Sequence, residues 1–369
     1  MVSVQHPSAF ASQQRILKKL MESPLKKLSI CEAKKLIETA SAEDILSLNN
    51  LEVLEPEVAE VLAKFSGGTL QLNGLRELSD AAADALSRWE GEDEGLRAFL
   101  ELNGITRLSE ASARALCRLT FGSTLSLDGI RQLDDASARG LGWTKEGTSS
   151  LKLNGLDSLT VDHARFLVSP TPHGRSLYLN GLTSLPEDVA QVLGRQSDEL
   201  FLNGLTELSE GAAKGLAKKP LLLSLNGLET MSPPVARALA DQRGYLHLHG
   251  LRRITDLSAE ALAYHKGNLW LSGLKRLSKR AAEAFGRMSG TDRPDPELFS
   301  QTTLKKSELS AYGEVWWLAL DGLEELNDEA AVALERYEGY LLFSKKQRWM
   351  IEWMMQYHLR FVFIEDLRS

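Results

Sequence analysis

The chain has 369 residues, 43% of them hydrophobic and 25% charged, an ordinary balance for a globular protein. A formal net charge of −7 creates no field that would draw in nucleic acid or an anionic membrane, so neither is expected as a partner. No stretch has the apolar length needed to cross a bilayer, and MVSVQHPSAFASQQRILKKL lacks the apolar core of a secretory leader, so a cytoplasmic location is expected.

In chain order, Phe10 to Met21, with Ile16, Leu17 and Leu20, reads as a capping helix within residues 1–24. From residue 25 one unit recurs: L-x-L-N-G-L-x-x-L-S-x-x-x-A-x-x-L. Its first leucine falls at Leu46, Leu70, Leu100, Leu125, Leu151, Leu177, Leu200, Leu223, Leu246, Leu269 and Leu318. Leu25, Leu28, Ala33 and Leu36 match the second half of an earlier copy. The interval from Leu269 to Leu318 is 49 residues against 23 for the four before it. An eroded repeat or an insertion is therefore expected at 290–314, where Pro294 and Pro296 stand. Leu341 opens a final strand with no repeat after it.

Each column of the unit has a physical reading. Alternating leucines, such as Leu200 and Leu202, have the period of a strand with one buried face. Leu205 and Leu208, or Leu251 and Ile254, carry the chain inward around the bend. Ser79, Ser109, Thr160, Ser209, Ser232, Thr255, Ser278 and Asn327 occupy a helix N-cap position, with acidic residues or proline following. The helix then carries an alanine thirteen residues past the first leucine: Ala59, Ala83, Ala113, Ala138, Ala164, Ala190, Ala213, Ala236, Ala259, Ala282 and Ala331. An alanine without exception predicts that helix and strand approach too closely for a larger side chain. Gly244, Gly267 and Gly339 are expected to end their helices. The Asn-Gly pair is a hairpin signal by itself. Here a capped helix follows rather than a second strand, and one strand per ~23 residues implies parallel pairing.

These columns resemble leucine-rich repeats, in a register close to the cysteine-containing subclass. Leu75, Ile105, Ile130, Leu156, Leu182 and Leu205 fill the position where that subclass places its cysteine, and the asparagines stand two positions earlier than the wider family's. The resemblance covers residues 25–343, with 344–369 left as a C-terminal cap. It implies an α/β fold: a right-handed solenoid horseshoe with a parallel sheet on the concave face and helices on the convex face. It implies binding rather than catalysis, and repeat style and composition are those of a bacterial protein.

A solenoid's binding surface lies in exposed columns that vary between units. Residues flanking the first leucine are mostly small and polar in the N-terminal half, with Ile45 and Phe99 as exceptions. In the C-terminal half they gather Tyr178, Phe201, Tyr245, His247, Trp270, Trp317 and Tyr340. Strands ~4.8 Å apart would join these into one stripe, and such aromatics mark interfaces. The alternative is that they stack on one another or cover the 290–314 segment. Asn49, Asn73, Asn103, Asn154, Asn180, Asn203 and Asn226, with Asp128 and Asp321, read as a structural ladder, each paired glycine permitting a backbone angle closed to other residues.

His247 and His249 share a strand face, but Ser224, Asn226, Trp270 and Ser272 around them offer no strong third metal ligand. No metal or cofactor is expected. Cys31 and Cys117 read as free thiols. No phosphate-cradling glycine loop, nucleophile elbow or zinc-protease motif occurs, so no enzyme is expected. The tail, with Trp349, Met350, Trp353, Met354 and Met355, reads as a cap or a docking surface. The functional expectation is a scaffold that binds another protein. The alternatives are a glycan or small-ligand receptor, or a structural element of a larger assembly.

Overall fold

The computed structural model describes residues 26–39, 45–89, 98–119, 122–142, 148–169, 174–219, 221–288 and 317–344, and the backbone of 361–363. The helix expected before residue 25, the 290–314 segment and most of the tail lie outside these residues.

The chain divides into two compact units, Met1–Gly181 and Leu182–Ser369. The first contains α1 (Ile30–Thr39), β1 (Ile45–Ser47), α2 (Pro56–Leu62), β2 (Thr69–Gln71), α3 (Asp80–Leu86), β3 (Phe99–Glu101), α4 (Glu110–Leu116), β4 (Thr124–Ser126), α5 (Asp135–Gly140), β5 (Ser150–Lys152), α6 (Val161–Leu167) and β6 (Ser176–Tyr178). The second contains α7 (Glu187–Leu193), β7 (Leu200–Phe201), α8 (Glu210–Leu216), β8 (Leu223–Ser224), α9 (Pro233–Leu239), β9 (Leu246–His247), α10 (Asp256–Leu262), β10 (Leu269–Trp270), α11 (Lys279–Gly286), β11 (Trp317–Ala319), α12 (Asp328–Leu334), β12 (Tyr340–Phe343) and β13 (Phe361–Phe363).

Within each unit every strand pairs in parallel with the next, so strands and helices alternate in the leucine-rich-repeat-like α/β arrangement that the repeat implied. Register aligns the first leucines: Leu46 faces Leu70, Leu70 faces Leu100, and Leu223 faces Leu246. Leu269 faces Leu318, so the long interval leaves the strand register intact. The sheet runs one strand further than the repeat pattern indicates, with Leu341 facing Phe361.

Most of the helices have seven residues, about two turns, and would not persist alone in water. Packing and capping hold them. All eleven alanines of the fixed column are 0% exposed. N-cap side chains accept a backbone N–H at Ser79, Ser109, Thr160, Ser209, Thr255, Ser278 and Asn327, and also at Asp134. Ser232, followed by two prolines, makes no such bond. The first acid of one helix is tied to the cap of the next: Ser109 Oγ and Ser112 Oγ donate to Asp80, holding its carboxyl below the usual range.

Two glycine expectations need correction. Helices α9, α10 and α12 end at Leu239, Leu262 and Leu334, and their caps Ala240, Ala263 and Glu335 keep right-handed angles, so Gly244, Gly267 and Gly339 are not helix terminators. Among the described glycines, only Gly122 has a positive φ. The Asn-Gly glycines are required instead by close approach between repeats. A Cβ on Gly104 would lie 2.1 Å from the carbonyl oxygen of Asn73, and one on Gly250 would lie 1.9 Å from that of Asn226.

One buried column escaped the repeat pattern because its residue types vary. Nineteen residues past the first leucine stand Phe65, Trp89, Leu119, Gln196, Lys219, Gln242, His265, Met288 and Tyr337, all buried. Trp89, Lys219 and Gln242 reach backbone carbonyls in the turn that leads to the strand. Trp89 Nε1 donates to Phe65 O at 2.7 Å, Gln242 Nε2 to Leu221 O at 2.6 Å, and Lys219 Nζ to the carbonyls of Gln196 and Asp198. Burial pushes Lys219 down to about 8 and His265 down to about 4.

Candidate partner-binding face

On each strand the residue after the first leucine, and the one two further on, point away from the leucine core to the same side of the sheet. In the first unit this face satisfies its own polar groups. The asparagine column is a ladder in which each side-chain oxygen accepts the backbone N–H of the next repeat. Asn49 Oδ1 takes Asn73 N at 2.9 Å, Asn73 Oδ1 takes Asn103 N at 2.9 Å, and Asn103 Oδ1 takes Asp128 N at 2.9 Å. Asp128 Oδ1 takes Asn154 N at 2.8 Å, and Asn154 Oδ1 takes Asn180 N at 3.1 Å. Side chains cross-link it further: Asn73 Nδ2 donates to Glu101 at 2.9 Å and Asn154 Nδ2 to Asp128 at 3.2 Å. The structural reading of these asparagines therefore stands.

The second unit begins in the same way. Asn203 Oδ1 accepts Asn226 N, and Asn226 Oδ1 accepts His249 N, both at 2.9 Å. There the ladder stops, because His249, Ser272 and Asp321 follow and neither His249 nor Ser272 carries an amide oxygen. Three side chains gather at the break. The His247 and His249 rings lie 5.2 Å apart, and Trp270 lies 5.4 Å from His247 and 5.9 Å from His249, all at steep interplanar angles. Trp270 Nε1, Ser272 Oγ and Asp321 Oδ1 are buried with no hydrogen-bond partner. A buried polar group left unpaired costs about 1–3 kcal/mol, so three on adjacent strands strain the closed arrangement.

Electrostatics keep this cluster uncharged on the imidazole side. Burial first, and then neighbouring His249, holds His247 down at about 4. Burial also lowers His249, against the opposing pull of Asp321. Both rings are neutral at pH 7, next to one carboxylate. Among the described residues no three His, Cys, Asp or Glu side chains converge to hold a metal ion.

The seven residues expected to form one aromatic stripe fall into separate environments. His247 and Trp270 join the cluster; sequence reasoning weighs His249 and Ser272 beside His247 only as metal ligands and reads Asp321 as part of the structural ladder. The sign was there: these are the positions where the asparagine column loses its amide. Phe201 is half-buried, and Tyr245 is 44% exposed, the most open of the seven. Trp317 is half-buried and packs 5.4 Å from Tyr340. Tyr340 itself is buried, as are Ala319 and Leu342 on the same strands, so Tyr340 does not offer the open ring expected of it. Tyr178 belongs to the first unit, where Lys152 Nζ lies 4.3 Å from the Phe99 ring centroid and 5.4 Å from that of Tyr178.

No protein-family model matches the chain, and no curated protein matches it. A crystal structure of the Rad7 and Elc1 complex in yeast contains a similar chain, 16% identical, over 91% of this chain and 88% of that one, with a TM-score of 0.39. Likeness at that level carries no argument about function, and the reading of the fold rests on the strand register and the repeat columns.

Proposed function

We propose that the chain is a non-enzymatic scaffold that binds another protein on the sheet face of its second unit, around His247, His249 and Trp270, with Tyr245 and Phe201 as flanking contacts. One observation carries this reading. A repeat that elsewhere on the same face closes its hydrogen bonds breaks its own rule at three consecutive strands and assembles rings there. Such local violations without structural gain are expected at functional positions. A half-buried Trp with an unpaired indole N–H, set against two imidazoles, is also what an interface anchor looks like before a partner arrives.

Selection of random peptides displayed on phage against the immobilised full chain tests the proposal. Peptides that bind wild type and lose at least tenfold affinity for the His247→Ala, Trp270→Ala double variant are the expected result. Failure to enrich any peptide, or equal binding to the variant, would reject this face. The saccharide alternative predicts instead that a glycan array gives binding that the same variant abolishes.

A further inference from the structure

The break in the ladder has a chemical specificity of its own. We propose that the positions around Trp270, Ser272 and Asp321 form a socket for a side-chain carboxamide, an Asn or Gln presented by a bound protein segment, which takes the rung the chain itself omits. This inference rests on the protein-binding reading above and narrows it to one functional group.

The unpartnered atoms dictate the choice. Trp270 Nε1 can only donate, the Asp321 carboxylate oxygen accepts, and the Ser272 hydroxyl does either. An ammonium or guanidinium group would serve Asp321 and leave the indole N–H unpaired. A phosphate or carboxylate would serve the indole and lie against Asp321. A hydrocarbon would serve none of the three. A hydroxyl offers a single donor, whereas a primary carboxamide carries an acceptor and two donors on one flat group and so matches the indole, Ser272 and Asp321 in number and kind.

The protein already uses this pairing in the same column. Asn154 lies one repeat on from Asp128, its amide nitrogen donating to Asp128 Oδ2 at 3.2 Å while its backbone N–H takes Oδ1. On the same face, outside that column, Asn73 donates to Glu101, which stands one repeat on and two positions earlier in its repeat. In the same column Asp321 has Ser272 one repeat before it and Ser344 one repeat after it, so no asparagine stands on either side. Ser272 and Ala319 are the small residues of the patch, and the neutral imidazoles of His247 and His249 place no positive charge against an amide NH₂. Their rings and the indole supply apolar walls for the aliphatic stem.

The test uses the full-length chain and small probes that share backbone amides and differ only in the side chain. N-acetyl-asparagine methylamide and N-acetyl-glutamine methylamide are compared with the alanine and glutamate analogues and with methyl glucoside. The readout is the indole ¹H–¹⁵N resonance of Trp270, identified by its loss in Trp270→Phe. A saturable shift with the two carboxamides, at least tenfold weaker with the others, is expected. It should disappear in the His249→Asn, Ser272→Asn double variant, whose own amides fill the break. If that variant does not fold, Trp270→Phe leaves a smaller aromatic ring without the N–H donor, with the His249 backbone resonance as reporter. An equal response to the alanine analogue means backbone amides or non-specific contact, and an equal response to the glucoside means hydroxyl recognition; either overturns the proposal, as does no response. Displayed peptides that bind without Asn or Gln would overturn the socket and leave the protein-binding reading standing, whereas failure to enrich any peptide removes that reading itself.

Discussion

The asparagine ladder runs through all of the first unit, from Asn49 to Asn180, but in the second it reaches only His249. Around the intact ladder Gln71 and Asn73 donate to Glu101, and Asn154 donates to Asp128. Around the broken one, Trp270, Ser272 and Asp321 are left with buried, unpaired atoms. The leucine and alanine columns are the same in both units, so the core does not account for the difference. One surface is organised for its own stability, and the other gives up some stability at a specific place.

The buried column behind the strands separates the units most strongly. Trp89 is fully buried and its indole is bonded to Phe65 O, so Trp89→Ala loses both packing and the hydrogen bond. A loss of about 4 kcal/mol in urea denaturation is expected. The equivalent His265 has both ring nitrogens buried and unpaired. His265→Gln, which copies its neighbour Gln242, should therefore cost far less; a comparable loss would show that the imidazole is a structural donor.

Acid should act next most strongly, and on the second unit. His265 is pushed from an ordinary value near 6.5 to about 4, so the unfolded chain takes up the proton first. Its contribution is fully present above pH 6.5 and falls as pH drops toward 4, by about 3 kcal/mol at about 1.4 kcal/mol per pKa unit. His247, also near 4, adds a loss of the same sign. Unfolding curves from pH 7 to 4 should show the decline, and His265→Gln should reduce it. A decline unchanged in the variant would assign it to other groups.

A smaller contrast probes the ladder itself. Asn154→Ala removes the acceptor for Asn180 N and the donor to Asp128, and should cost about 2 kcal/mol. Ser272→Ala deletes a buried hydroxyl that has no partner, so no loss is expected and a gain of about 1 kcal/mol follows. Should both substitutions cost the same, the second ladder is not broken in solution. The smallest effect is expected of Ser232→Ala, since Ser232 makes no cap bond, against Ser209→Ala, which should cost about 1 kcal/mol.

Particular residues show how far sequence reading reaches. The leucine and alanine columns were legible because a repeated unit samples the same packing constraint many times, and a position that never varies exposes that constraint. The variable column of Phe65, Trp89, Lys219, Gln242 and His265 was not. Its requirement is a large buried side chain, which Trp89, Lys219 and Gln242 meet while also reaching a turn carbonyl, and several residue types satisfy it. The Asn-Gly glycines were placed correctly and explained wrongly, since nothing in a linear pattern tells a positive φ from a carbonyl that approaches within about 2 Å of the missing Cβ.

The sequence by itself determined the repeat, its parallel strands, its capped helices and its buried leucines and alanines, because these follow from period and residue type. Which aromatics meet, that Tyr340 is buried while Tyr245 is open, that β13 extends the sheet, and that His249, Ser272 and Asp321 interrupt the ladder beside Trp270 were decided only by tertiary structure. Those outcomes depend on side chains from successive strands meeting across the sheet, at sequence separations of 23 residues and more, where neither local propensity nor hydrophobic period carries information.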